Sequence, residues 1–134
     1  MSGEKDLKTL LVTMDPELQK GEFVFVSVQH IDQIPRGKTI LEFQEKEGIT
    51  LVVTKQIAEE FSLHYEYVSA WITLKVHSAL DAVGLTAAFS NQLASHNISC
   101  NVVSGFYHDH IFVAVEKGRM AVQILQEFSE SMKS

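Results

Sequence analysis

Two residues of this chain, Gly84 and Asp109, have the types and positions that suit binding of a small zwitterion. Gly84 lies where an apolar segment gives way to a helical pattern, so the first N–H groups of that helix, those of Leu85 and Thr86, are free to bind a carboxylate. Asp109 precedes an apolar segment, and its carboxylate could hold an ammonium group by a charge-assisted hydrogen bond. The alternatives are that Gly84 only permits a turn and that Asp109 is an acidic turn residue facing water.

The tripeptide His108-Asp109-His110 also raises the possibilities of metal binding and of catalysis. Alternate residues of a strand point to the same side, so the two imidazoles could share an ion, but no third ligand lies at a useful spacing. Histidine could serve as an acid or base in a small hydrolase or isomerase. Because no nucleophile elbow, phosphate loop, zinc-binding or paired cysteine motif is present, we expect no catalytic residue, metal or cofactor.

The composition limits the partners and the compartment. The chain has 134 residues, 46% of them apolar, which is enough for a core without disulfides or metal. Its formal net charge of -6 opposes contact with nucleic acid and anionic lipid, and no apolar segment is long enough for a membrane helix. With the single residue Cys100 excluding an internal disulfide and no export signal visible, we expect a cytoplasmic protein.

The segment 82–108 contains no Asp, Glu, Lys or Arg. The centres of protein interfaces are depleted in charge, and open strand edges need to be hidden. We therefore expect the chain to form a homodimer or a larger homo-oligomer.

The second half has the pattern of a β-α-β-β-α unit. Alternation predicts a strand over 71–76, helical spacing from Leu85 to Leu93 predicts a helix that ends near Asn97, and 99–106 and 110–115 are predicted strands around a turn. The strand over 110–115 is apolar on both faces and is expected to be central. A stripe from Ala121 to Phe128 predicts the last helix.

The first half repeats this pattern imperfectly. Aligning Glu47 with Asp109, 62 positions apart, places apolar strand residues in register. Residues 15–21 leave room for one helical turn, and residues 23–28 have the composition of a strand. The second half lacks a fourth strand, and a strand of the first half could supply it. The alignment superposes Ile49, Leu51 and Val53 on Ile111, Val113 and Val115, and Leu10, Val12 and Met14 on Ile72, Leu74 and Val76.

A doubled β-α-β-β-α pattern with a glycine opening the helix of the second copy resembles the ACT-domain family. In the first copy the resemblance rests on the segments 10–16 and 47–52, and in the second on Val83-Gly84-Leu85-Thr86-Ala87 and 106–113. It implies an α+β fold of two tandem ferredoxin-like (βαββαβ) units, with antiparallel sheets and helices on one face. The implied domains are 1–66, with its first helix reduced, and 67–134.

The same resemblance implies a regulatory protein that binds a small molecule, an amino acid, at an interface between two ACT-like domains and acts on an enzyme or transcription factor. The alternative is an interaction module that binds no ligand. The expected ligand-binding residues are Val83, Gly84, Leu85, Thr86, Tyr107 and Asp109 in the second copy, and Glu47 and Met14 in the first.

Overall fold

The structure is a computed structural model that describes residues 3–133, and it divides into two compact units. We call residues 21–69 the continuous unit, and residues 3–20 together with 70–133 the split unit. Along the chain the helices are α1 (Leu7–Thr13), α2 (Lys55–Glu60), α3 (Leu85–Ala94) and α4 (Gly118–Ser131). The strands are β1 (Pro16–Leu18), β2 (Phe23–Val28), β3 (Leu41–Gln44), β4 (Ile49–Thr54), β5 (Val68–Leu74), β6 (Asn101–Ser104) and β7 (Asp109–Ala114).

The continuous unit is an antiparallel sheet whose first helix is reduced. Its strand order is β5-β2-β4-β3, and β5 takes part through Val68 and Ser69. Two short 3-10 turns, Ile31–Gln33 and Arg36–Lys38, stand between β2 and β3, where a complete βαββαβ unit has a helix. Alternate residues of β2 and β4 face inward, and the core consists of Val24, Val26, Val28, Ile34, Leu51, Val53 and Ala58.

The split unit is a βαββαβ unit whose last strand comes from the beginning of the chain. Strand β7 lies between β5 and β6, as its two apolar faces predict, and β1 pairs antiparallel with β5. A strand of the first half therefore supplies the fourth strand. One face of this sheet contributes alternate residues to a core that it shares with α1, α3 and α4. The fully buried residues of this core include Ile72, Leu74, Phe89, Leu93, Ile111, Val113 and Leu125.

The α+β fold with tandem ferredoxin-like units is confirmed, as are the helices that begin near Leu85 and Gly118. Asn97 has a φ of 61°, the left-handed conformation expected of a helix C-terminal cap. The strand predicted over 99–106 is shorter, Asn101–Ser104, because the hairpin turn occupies 105–108. Among residues 3–133, no helix combines the length and the apolar character that a membrane span requires.

The assignment of Leu10, Val12 and Met14 to a strand is wrong, because these residues belong to α1 and its C-terminal cap. The carboxylate of Asp6 caps this helix by accepting a 3.0 Å hydrogen bond from the N–H of Thr9. The helical turn predicted within 15–21 is likewise replaced by β1.

The internal repeat has a separation of 60 residues, and the 62 positions inferred from apolar matching are wrong. Strands β3 and β6 begin at residues 41 and 101, and β4 and β7 begin at residues 49 and 109. The turns agree as well: the N–H of Glu45 donates to the carbonyl of Gly48, and that of Gly105 donates to His108. Asp109 is therefore equivalent to Ile49 and not to Glu47.

Candidate functional site

A small pocket in the split unit lies at the first turn of α3 and has a volume of about 100 Å³. It brings together four of the eight residues expected to bind a ligand: three are consecutive, and the fourth lies 23 to 25 positions further along the chain. Its lining consists of Ser78, Ala79, Leu80, Ala82, Gly84, Leu85, Thr86, Ser104 and Asp109. The four expected residues are Gly84, Leu85, Thr86 and Asp109.

Gly84 shapes one side of this pocket through its backbone. It is the N-cap of α3 with φ 101° and ψ -17°, a left-handed conformation that residues with a Cβ adopt at a cost, and no side chain caps the helix there. The first intrahelical hydrogen bond runs from the N–H of Ala88 to the carbonyl of Gly84. The N–H groups of Leu85 and Thr86 precede that bond, so the positive end of the helix dipole borders the pocket.

Asp109 supplies the negative group of the pocket. It is the first residue of β7 and only 5% exposed, and strand alternation puts it on the same side as Ile111 and Val113, which face the helices. The hydroxyl of Ser78 donates to Asp109 Oδ2 at 3.3 Å. A buried carboxylate requires strong donors, and the bond from Ser78 is long, so the carboxylate can accept further hydrogen bonds from a ligand.

The other four expected residues lie elsewhere. Val83 is exposed beside Gly84, and Tyr107 is exposed in the turn between β6 and β7. Met14 is buried at the end of α1 and borders a different cavity of about 380 Å³, together with Asp15 and Lys133. Glu47 belongs to the continuous unit, where it is exposed in the β3–β4 turn.

Five lining residues, Ser78, Ala79, Leu80, Ala82 and Ser104, were not anticipated. Ser104 is the cross-strand partner of Asp109, so placing the hairpin turn at 105–108 would have identified it. The loop residues 78–82 carry no motif. Their only sequence signal is that they precede Gly84.

A cavity of about 360 Å³, which we call the second cavity, is larger than the first pocket and shares the segment Ser78–Leu80 with it. Its remaining lining residues are Gly3, Lys5, His77, Asp81 and Phe106. Lys5 Nζ lies 2.9 Å from Asp81 Oδ2, and this ammonium group lowers the pKa of the Asp81 carboxyl. Backbone hydrogen bonds hold the first residues against this loop, since the N–H of Glu4 donates to His77 and the N–H of Ala79 donates to Glu4.

His110, one of the two histidines that flank Asp109, contacts two side chains of β5. His110 Nδ1 accepts a 3.0 Å hydrogen bond from Trp71 Nε1 and lies 3.2 Å from Thr73 Oγ1. Burial lowers the pKa of His110, which favours its neutral form. No group of three or more His, Cys, Asp or Glu residues suited to a metal ion occurs within residues 3–133.

Cys100 carries a half-buried thiol of low reactivity. It is half-buried against the core of the split unit, and burial raises the pKa of its thiol to about 11. Because the thiolate is the reactive form, the raised pKa makes Cys100 a poor nucleophile at neutral pH.

Two family models, each described as an ACT domain, match residues 2–70 and 66–127. The chain belongs to the ACT-domain family. ACT domains are regulatory domains, and in general they bind small-molecule ligands and oligomerise. No curated protein matches the chain.

Solved structures match nearly the whole chain. A protein of unknown function from Vibrio cholerae, described as a possible transport protein, is 46% identical with a TM-score of 0.83, covering 93% of this chain and 97% of that one. A protein from Agrobacterium tumefaciens is 14% identical with a TM-score of 0.70, covering 87% and 89%. The ligand-free regulatory subunit of aspartate kinase from Thermus thermophilus is 11% identical with a TM-score of 0.60, covering 87% and 98%, and shares the fold.

Proposed function

We propose that this protein is a cytoplasmic regulatory protein that binds an amino acid in the pocket between the first turn of α3 and the start of β7. The observation that carries the proposal is the placement of Asp109, a carboxylate only 5% exposed, in the same small pocket as the first N–H groups of α3. The membership of the ACT-domain family supports the same conclusion.

The two sides of the pocket complement the two charges of an amino acid. The N–H groups of Leu85 and Thr86, at the positive end of the helix, receive the ligand carboxylate. Asp109 receives the ammonium group, and Ser78 holds the Asp109 carboxylate in place. Gly84 provides the left-handed backbone conformation with which this helix begins, and a residue with a Cβ adopts it only at a cost.

We further propose that the chain self-associates and that ligand binding occurs where ACT domains of two copies meet. Strand β6 ends the order β5-β7-β6, and its sequence Asn101–Ser104 carries no charge that would oppose pairing with a second copy. Light scattering tests this directly: a 15.0 kDa particle at micromolar concentration would contradict self-association. Ligand binding would then change how the assembly contacts an enzyme or a transcription factor.

A thermal-shift screen against the twenty amino acids tests the binding proposal. A ligand present at 100 times its dissociation constant stabilises the folded state by about 2.7 kcal/mol, which raises the melting temperature measurably. The substitution Asp109→Asn, which removes the charge and keeps the shape, should abolish the shift. Glu47→Gln is the matched control, since it neutralises an exposed turn carboxylate of the continuous unit and should leave the shift intact.

A second candidate function is an interaction module that binds no ligand. It is favoured by the exposed apolar side chains of Leu80, Phe106 and Tyr107, because such surfaces mark protein contacts. If no amino acid shifts the melting temperature of the folded wild-type protein, the amino-acid proposal fails and this alternative stands.

A further inference from the structure

We infer that the ligand is an amino acid with a large apolar or aromatic side chain, which lies in the cavity formed by Leu80, His77 and Phe106. The inference rests on the proposed function and adds to it the class of side chain that the site selects. Four observations support it: the size of the first pocket, the three lining residues that it shares with the second cavity, the chemistry of that cavity and the exposure of its apolar walls.

The first pocket is the smaller of the two cavities that border Ser78. Its volume is about 100 Å³, against about 360 Å³ for the second cavity. The ligand carboxylate and ammonium group lie in this pocket, between Asp109 and the first turn of α3. A large side chain has more room in the second cavity.

The first pocket and the second cavity are neighbours, so the side chain of a ligand in the first pocket could extend toward the second. Ser78, Ala79 and Leu80 line both the first pocket and the cavity of about 360 Å³. Ser78 also contacts Asp109, the proposed ammonium-binding residue. A ligand held at Asp109 therefore lies against the segment that borders the larger cavity.

The chemistry of the larger cavity suits an apolar side chain. Its walls include Leu80 and Phe106, and the Phe106 ring lies 6.5 Å from the ring of His77 at a tilt of 40°. Among the described lining residues the charged side chains are Lys5 and Asp81, and they pair with each other at 2.9 Å. A charged ligand side chain would have to replace one ion pair by another, whereas an apolar side chain leaves the pair intact.

The apolar walls of the second cavity are exposed. Leu80 is 75% exposed and Phe106 is 65% exposed, although most large apolar side chains of the split unit are buried. A ligand that covers these side chains removes apolar surface from water, which lowers the free energy of binding. A large apolar ligand removes more surface than a small one and should therefore bind more tightly. Glycine, alanine and aspartate lack the side chain that would provide this cover.

Isothermal titration of the full chain with phenylalanine, leucine, alanine, glycine and aspartate tests the inference. We expect phenylalanine or leucine to bind at least about tenfold more tightly than alanine, glycine or aspartate. Phe106→Ser should reduce this preference to near unity while leaving alanine binding unchanged. Phe43→Ser is the matched control, since Phe43 is 64% exposed in β3 of the continuous unit, and it should change neither affinity.

The outcomes separate this inference from the proposed function. If none of the twenty amino acids binds, both fail. If amino acids bind but alanine, glycine or aspartate bind as tightly as phenylalanine and leucine, the proposed function stands and the side-chain class is wrong. If Phe106→Ser weakens every ligand equally at an unchanged melting temperature, Phe106 does not select the side chain and the inference is overturned.

Discussion

The indole N–H of Trp71 donates a 3.0 Å hydrogen bond to Nδ1 of His110. Indole nitrogen can only donate, so Nδ1 has to carry a lone pair and the imidazole has to be neutral with its proton on Nε2. Burial, the largest cause, and the nearby His108 lower the pKa of His110, while Asp109 opposes them. The hydrogen bond and the burial therefore favour the same protonation state.

This arrangement predicts a loss of stability in mild acid. Because the pKa of His110 is lower in the folded state than its unfolded value of about 6.5, its contribution is complete above pH 6.5 and is lost as the pH falls through the folded pKa. Urea unfolding between pH 7.5 and 5.5, followed by the fluorescence of the single tryptophan, measures the effect.

The variant His110→Asn should have a free energy of unfolding that depends less on pH over this range. His64→Asn is the control, because His64 is exposed in the continuous unit and its loss should change the pH dependence less than the loss of His110 does. Equal pH dependence in wild type and His110→Asn would show that His110 does not carry the effect.

The substitution Gly84→Ala should destabilise the split unit. Its φ of 101° strains any residue with a Cβ, and the added atom would lie 3.1 Å from Leu7 Cδ2, so we expect a loss of about 1–3 kcal/mol in the free energy of unfolding. Gly37→Ala is the matched control, because a Cβ there meets no atom within 4 Å. Urea denaturation of both variants decides the matter, and equal stabilities would contradict the strain at Gly84.

Gly118→Ala should be destabilising through crowding and not through backbone strain. A Cβ at this first residue of α4 would lie 2.9 Å from the Cβ of Ala70 in β5, closer than real Cβ atoms approach. Overpacking of this kind costs about 1–3 kcal/mol. In a thermal double-mutant cycle with Ala70→Gly, the loss in the double variant should be smaller than the sum of the two single losses, and strict additivity would argue against the contact.

The thiol of Cys100 should react slowly in the folded protein. With a pKa raised to about 11, its thiolate fraction at pH 8 is lower by about a hundredfold or more than that of an unfolded cysteine of pKa about 8.5. Labelling with a chromogenic disulfide reagent, in the absence of urea and in enough urea to unfold the protein, compares the two rates. Native labelling at the unfolded rate would show that the thiol is neither buried nor raised in pKa.

The sequence predicted the strands of the repeat better than their register, for a physical reason. Side chains of a strand alternate with a period of two, so a slip of one residue exchanges the two faces but a slip of two residues preserves them. Leu51 and Val53 therefore meet apolar residues at separations of both 60 and 62 residues, and only Ile49 loses its apolar match at 60, where it meets Asp109. The turn hydrogen bonds at Glu45 and Gly105, which apolar patterns do not encode, decide between them.

Helix α1 could have been predicted from signals that the repeat alignment concealed. Leu7, Leu10, Leu11 and Met14 follow the spacing of one helical face, and Asp6 precedes them as an N-cap with Thr9 three residues later. The alternation of Leu10, Val12 and Met14 predicts a strand from the same residues. The competing pattern was equally present in the sequence.

The sequence predicted those residues of the candidate site whose type suggests a role in binding. Gly84 and Asp109 stand out by type and position, and both line the pocket. Ser78 and Leu80 do not stand out, because their place depends on the fold of a loop held by Glu4, more than 70 residues earlier in the chain. Contacts of that range are set by tertiary structure and leave no local pattern.

The pairing of β1 with β5 affects the order in which this protein can fold during synthesis. The residues of the continuous unit are adjacent in sequence, so they can fold once residue 69 has left the ribosome. Residues 3–20 emerge earlier than their packing partners. Those partners, which include Ile72 and Leu74 of β5 and the helices that bury Leu10 and Leu11, are synthesised last. This first segment must therefore wait with its apolar side chains uncovered, which makes it the part of the nascent chain most exposed to chaperones and to aggregation.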